Sequence, residues 1–163
     1  VYFLDTSVLL KSYLPEKGSE TVQDAFTRLG GSLFISEAVA LEAATTLSKH
    51  VRTKYISTRT YKKARKLLEW DFAHRFGFVP VEPAFPVAYG YAHQYRGRAP
   101  GPLDLLHLAS AEHLQSLYPA ETVWLFTSDV KLKRLAKVRD LDVFDPERDD
   151  LRQLSPPLFP PPN

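Results

Sequence analysis

Val1-Tyr2-Phe3-Leu4-Asp5-Thr6-Ser7-Val8-Leu9-Leu10 opens the chain, and this stretch decides the fold. Four apolar residues in a row, without alternation, suit a short strand buried on both faces, as in a parallel sheet. Val8, Leu9, Leu10 and Leu14 then predict a short helix over Thr6–Leu14, stopped by Pro15. Asp5 stands between the two elements. In open α/β sheets, ligands bind outside the carboxyl ends of the strands, where strand order reverses. Asp5 is therefore placed on the rim where a site would form.

The same alternation of strand and helix runs outward from this start. A helix is predicted over Ser19–Leu29, ended by Gly30-Gly31, and a strand over Leu33–Ile35. Ser36 can cap the next helix, whose apolar stripe is Val39, Ala40, Ala43, Ala44 and Leu47. A long basic helix spans Ser57–His74, with Tyr61, Ala64, Leu67, Leu68 and Phe72 as its inner face. Phe76–Val81 reads as a strand and Phe85–Tyr95 as a helix, followed by a Gly/Pro-rich loop over residues 96–102. Leu103–Leu117 is helical, Val123–Thr127 a strand, Val130–Lys137 a helix and Leu141–Phe144 a last short strand. Such alternation means a parallel sheet covered by helices on both faces. Residues 1–150 read as one domain, and 151–163, which closes on the proline-rich Leu154–Asn163, as a tail.

Composition narrows the chemistry. The chain has 163 residues, 44% hydrophobic and 25% charged, enough for one domain with its own core. With no cysteine, disulfides, thiol nucleophiles, Cys-based zinc sites and iron–sulfur clusters are excluded, and the lack of bridges favours the cytoplasm. No apolar run approaches the roughly 18 residues a membrane span needs, so no membrane role is expected. The sequence starts at Val1 with neither a methionine nor the basic flank of a signal peptide, so a trimmed start is expected.

Four acids carry the functional reading. Asp5 follows the first strand, Glu42 sits in a small and apolar helical stretch, Asp104 lies in the first turn of its helix, and Asp129 lies between a strand and a helix. Asp5 and Asp129 could merely cap helices, Asp104 could answer a helix dipole, and Glu42 could be an exposed position beside its stripe. Their joint occurrence carries the case. Four carboxylates at one end of a sheet repel one another, and a divalent cation relieves that repulsion. Carboxylate ligation without Cys selects a hard ion, Mg²⁺ or Mn²⁺. The formal net charge is only +2. With four acids given to a metal, however, the 21 Lys and Arg face 15 acids, and basic clusters at residues 62–66, 96–98 and 131–139 become a basic rim around an acidic centre.

The strings Leu4-Asp5-Thr6-Ser7-Val8-Leu9-Leu10, Ile35-Ser36 followed by Glu42, Leu103-Asp104-Leu105-Leu106-His107-Leu108-Ala109 and Phe126-Thr127-Ser128-Asp129 together resemble the PIN domain family. Within that family they are similar to the VapC-type toxin ribonucleases of toxin–antitoxin pairs. The resemblance runs from Val1 to about Pro146 with the motifs in order. Many members carry Asn where this chain has Ser128, and Pro156–Asn163 extends past the usual end. The resemblance implies an α/β, PIN-like three-layer sandwich with a five-stranded parallel sheet of order 3-2-1-4-5. It implies a Mg²⁺- or Mn²⁺-dependent endoribonuclease that hydrolyses RNA phosphodiester bonds, forms a homodimer and is held by an antitoxin protein. Asp5, Glu42, Asp104 and Asp129 would hold the metal, with Ser7 and Thr127 bonding the carboxylates or metal water. Arg96, Arg98 and Lys133 are candidate phosphate contacts. DNA instead of RNA, a PIN nuclease outside toxin–antitoxin systems and a non-catalytic RNA- or protein-binding module are the alternatives. The intact acid set speaks against the last.

Other chemistries fit less well. A haloacid-dehalogenase-type phosphatase needs a second Asp where Ser7 stands, and a receiver domain needs an acidic pair where Leu4 precedes Asp5. Ser7 lacks the Gly-x-Ser-x-Gly elbow of a serine nucleophile. His107 and His113 are six apart and do not share a helix face well, so core or surface roles are expected for the histidines. Trp124 is read as core.

Overall fold

Strand β1 (Tyr2–Leu4) is buried at every position, as its unbroken apolar run requires of a central strand. It pairs in parallel with β2 (Leu33–Ser36) on one side and β4 (Trp124–Phe126) on the other. β3 (Gly77–Val79) lies outside β2, and β5 (Asp142–Phe144) outside β4. The order β3-β2-β1-β4-β5 reverses direction between β1 and β4, so the switch point lies at the carboxyl ends of those two strands. The register sets Tyr2 beside Leu33 and Trp124, and Leu4 beside Phe126. The structure is a computed structural model and describes residues 1–97 and 100–154. The proline-rich tail from residue 155 onward lies outside the described residues. Leu154 itself is buried and Leu151 packs against the core, so the packed chain continues past residue 150.

Parallel neighbours need crossovers, and helices supply them. α1 (Thr6–Leu9) tightens into a 3₁₀ turn over Leu10–Ser12, where the sequence predicts one helix to Leu14. The N–H groups of Tyr13 and Leu14 both close on the Leu10 carbonyl, each at 3.0 Å, a tight ending that sets the chain up for Pro15. α2 (Ser19–Leu29) starts after Gly18, whose φ of +84° would strain any side chain and where a Cβ would sit 3.0 Å from the Pro146 carbonyl oxygen. α3 (Glu37–Arg52) is capped by Ser36, whose Oγ accepts from Val39 N at 3.2 Å, and α4 (Thr58–His74) is capped by Ser57.

Two stripes differ from their expected membership. Ala44 is exposed on α3, and Leu67 is exposed on α4 while Asp71 is buried. Tyr13 donates to Asp71 Oδ2 at 2.7 Å and Arg75 Nε reaches Asp71 Oδ1 at 2.8 Å, so the burial of this carboxylate is compensated.

α5 (Val81–Gln94) begins four residues before the predicted Phe85, and β3 is correspondingly shorter. Pro83 lies in the first turn, where backbone N–H groups have no intrahelical partner, so it costs no bond there. The Val81 N–H is taken by Glu37 Oε2 at 3.1 Å. α6 (Pro102–Leu117) starts on a proline, and α7 (Val130–Val138) is capped by Asp129. Phe3, Leu4, Leu9, Leu33, Ile35, Leu125, Phe126 and Phe144 are fully buried, each stabilising the sheet by about 1.5–3 kcal/mol. Trp124 is only partly buried, packed against the core. Among the described residues no helix is long and apolar enough to cross a membrane.

Candidate active site

The strand that the opening residues build ends at the switch point, and Asp5 is the next residue. Its N–H donates to the Phe126 carbonyl of β4 at 3.1 Å, which ties it to both central strands. Asp5 caps α1: Oδ1 accepts from Val8 N at 3.0 Å and from Ser7 Oγ at 2.7 Å. Oδ2 accepts from Thr127 Oγ1 at 2.5 Å. The carboxylate is 3% exposed. Burial pushes its pKa up, against the opposing hydrogen bonds from Thr127, Ser7 and Val8 and the nearby His107.

The network continues into the β4–α7 loop. Thr127 Oγ1 accepts from Asp129 N at 3.0 Å, and Ser7 Oγ accepts from Ser128 N at 3.0 Å. Asp129 is exposed, and its Oδ1 accepts from Lys131 N at 2.7 Å and Leu132 N at 2.8 Å.

Glu42 faces this network from α3. Its Oε2 accepts from the Thr6 hydroxyl and from His107 Nε2, the latter at 2.9 Å. An ionised carboxylate can only accept, so His107 Nε2 carries the proton in this pair. The His107 bond, aided by Thr6 and opposed by partial burial, holds the Glu42 carboxyl below its usual range. His107 lies on α6 three residues after Asp104, a spacing that puts both on one helix face. Asp104 is half-buried, and its Oδ2 turns back to accept from Gly101 N at 2.9 Å.

Asp5, Asp104 and Asp129 therefore do cap helices, and capping uses only part of each carboxylate. Glu42 Oε1, Asp104 Oδ1 and Asp129 Oδ2 accept no hydrogen bond from the described residues, and Asp5 Oδ2 keeps one of its acceptor positions. No Lys or Arg among the described residues pairs with any of the four. The donor set is thus hard oxygen with uncompensated charge, which fits a hard divalent cation. Among the described residues, no three His, Asp or Glu side chains gather closely enough to hold a metal ion. Mg²⁺ is commonly held by one or two carboxylates and keeps several of its waters.

The remaining predicted contacts divide. Lys133, expected at a phosphate, is held instead in an ion pair with Asp145, with 17% of its side chain exposed. Arg96 is exposed on the loop after α5, and Arg98 lies outside the described residues. The sequence reading missed Thr6, His107 and Asp145. The i, i+3 spacing of Asp104 and His107 is the signal for the histidine. Asp145 follows Val143-Phe144 in the same strand-then-acid pattern as Asp5. Its Oδ1 accepts from Ser128 Oγ at 3.2 Å and from Glu147 N at 3.1 Å, so it braces the residue beside Asp129.

A family model described as PIN domain matches residues 2–138. No curated protein matches the chain in sequence. Among solved structures, the chain is similar to VapBC2 from Rickettsia felis bound to a DNA fragment from their promoter, with 18% identity over 88% of this chain and 97% of that one, and a TM-score of 0.58. FitAcB from Neisseria gonorrhoeae gives 17% identity over 90% and 98% with a TM-score of 0.59. VapBC-1 from nontypeable Haemophilus influenzae gives 20% over 90% and 98% with a TM-score of 0.58. At these identities the likeness is one of fold: the same central parallel sheet flanked by helices. With the family match spanning the motifs from β1 to α7, the chain belongs to the PIN domain family.

Proposed function

We propose that this PIN domain is a Mg²⁺- or Mn²⁺-dependent endoribonuclease and the toxin of a toxin–antitoxin pair, acting in the cytoplasm as a homodimer. One observation supports the reading: Asp5 at the end of β1, Glu42 bonded to Thr6 and His107, Asp104 one turn before His107, and Asp129 just after β4 have no Lys or Arg partner among the described residues. Asp5, Glu42, Asp104 and Asp129 are the residues that would hold the ion, directly or through its waters, and the ion would supply water activation and stabilisation of charge on phosphate oxygens. The chain's own residues do the rest. Ser7, Thr127 and Val8 N–H fix the Asp5 carboxylate in one orientation. Thr6 and His107 fix Glu42 through Oε2, leaving Oε1 without a partner among the described residues and the carboxyl charged near neutral pH. Arg96, exposed on the loop after α5, would meet substrate phosphate. Attack of water on phosphorus with departure of the 3′ oxygen leaves 5′-phosphate and 3′-hydroxyl ends. The antitoxin reading is supported by the toxin–antitoxin complexes that the fold matches.

The test is cleavage of single-stranded RNA by wild type and Asp5→Asn, with added Mn²⁺ or with EDTA. The reading expects cutting only by wild type and only with metal. RNA binding without metal-dependent cleavage across varied RNAs would replace it with the binding-module alternative.

A further inference from the structure

Two grooves on the α5–α6–α7 side share Pro100 as a common wall. The first, of about 430 Å³, is lined by Phe85, Tyr89 and Arg96 together with apolar residues of α6. The second, of about 320 Å³, is lined by Lys131 and Arg134 of α7. Phe85 and Tyr89 are four apart on α5, share a face, and are 58% and 63% exposed. His93 braces Tyr89 edge-on, with centroids 5.0 Å apart. Arg96, Lys131 and Arg134 are exposed and form no ion pair among the described residues. The α6 wall of the first groove includes Pro102 and Leu105, which flank Asp104, and Lys131 lies two residues from Asp129. Aromatic faces and unpaired cations therefore line two grooves that share Pro100 and whose walls include sequence neighbours of Asp104 and Asp129.

Resting on the nuclease reading and deepening it, we propose that this surface is the track for a single-stranded nucleic acid: bases stack on Phe85 and Tyr89, and Arg96, Lys131 and Arg134 meet the phosphates. Stacking is possible only for bases free of a duplex, and each free cation can replace counterions on one phosphate. A second copy of this chain would cover the two rings, but it carries the same unpaired cations and would set like charge against like. A polyanion answers both the rings and the charge.

The test is binding of a fluorescein-labelled single-stranded oligoribonucleotide to the full chain in EDTA, followed by anisotropy, so that nothing is cut and the nuclease reading is not at stake. Phe85→Ala and Tyr89→Ala are each expected to weaken binding about 5- to 100-fold. Lys131→Ala and Arg134→Ala are each expected to reduce the slope of log affinity against log salt by about 0.7. The duplex form of the oligonucleotide should bind more weakly than the single strand. All four positions are exposed, so unfolding temperatures should stay at wild type and confirm intact folds. Wild-type affinity and salt slope in these variants would overturn the track. So would conversion of a dimer to monomers by Tyr89→Ala with RNA affinity per protomer unchanged, which would assign the face to a second copy. Loss of binding in the variants, in a protein that never cleaves, would uphold the track and remove the nuclease reading alone.

Discussion

Replacing Thr127 with valine tests the buried network with almost no change in shape. Thr127 is fully buried, and its hydroxyl makes two bonds: to Asp5 Oδ2 at 2.5 Å and from Asp129 N at 3.0 Å. A hydrogen bond to a charged group contributes about 1.5–3 kcal/mol, and a neutral one about 0.5–1.5 kcal/mol. Water can reach Asp129, which is exposed, but not the Asp5 oxygen. The expected cost of Thr127→Val is therefore about 2–4 kcal/mol. For a chain of this size that lowers the unfolding temperature by about 5–15 °C. Thr127→Ser keeps the hydroxyl and loses one methyl, and should cost about 1 kcal/mol. The assay is thermal unfolding by circular dichroism in EDTA at pH 7, repeated in an Asp5→Asn background. In that background the valine change should cost about 1–2 kcal/mol less, because the charged acceptor is gone. The pH dependence has a definite sign. Burial raises the Asp5 pKa in the folded state, so the native protein binds that proton more readily than the unfolded chain. Stability from this group is therefore gained as pH falls through the folded value toward the unfolded one. The valine penalty should accordingly be largest at neutral pH and shrink in acid. A Thr127→Val protein within about 0.5 kcal/mol of wild type, or equal to Thr127→Ser, would refute the reasoning.

Three further perturbations probe the surroundings. His107→Ala removes the bond that most depresses the Glu42 carboxyl, so carboxyl-carbon NMR in EDTA should show Glu42 titrating at higher pH. A depressed folded pKa adds stability above the unfolded value and loses it as pH falls through the folded one, so wild type and variant should converge in acid. Lys133→Ala leaves Asp145, only 6% exposed at its side chain, with the exposed Arg148 at 3.8 Å as its remaining cation. Burial alone would push the Asp145 carboxyl up, but Lys133, Glu147 N–H and the Ser128 hydroxyl bring it below its usual range. Urea unfolding at pH 7 should show a loss of about 2–3 kcal/mol, less than for a fully buried pair because Lys133 keeps some water. Gly77→Ala would put a Cβ 2.4 Å from Phe34 Cε1, and that ring is packed against Tyr118 at 5.5 Å. A cost of about 1–3 kcal/mol is expected, read as a lower urea midpoint at unchanged slope.

The sheet was legible because its central strands are short unbroken apolar runs, and Leu33–Ile35 and Val123–Thr127 announce burial as clearly as Val1–Leu4 does. The start of α5 was not, because Pro83 reads as a terminator unless its place in the first turn, where no bond is lost, is known. Leu67 and Ala44 match helical periodicity yet face water, since periodicity shows which residues share a face but not how much of that face a neighbour covers. The buried Asp71 was hidden in a polar stripe because its partner Tyr13 lies 58 positions away. In the site, Asp5 and Asp129 were visible as acids that end apolar strands. His107 lies six residues before His113, off its helix face, and the neighbour that matters is Asp104, three residues back. Asp145 also follows a strand, but a strand-end acid alone does not reveal its role. Its partners, Ser128 and Lys133, come together only when β5 pairs with β4.

The most direct test of the shared-ion account is calorimetric titration of Mn²⁺ into the purified chain, run beside Asp5→Asn and Asp145→Asn. Binding should be weakened at least about tenfold by Asp5→Asn, while Asp145→Asn, whose acid is already held by Lys133, should bind within a few-fold of wild type. Equal Mn²⁺ affinity in wild type and Asp5→Asn would contradict the account.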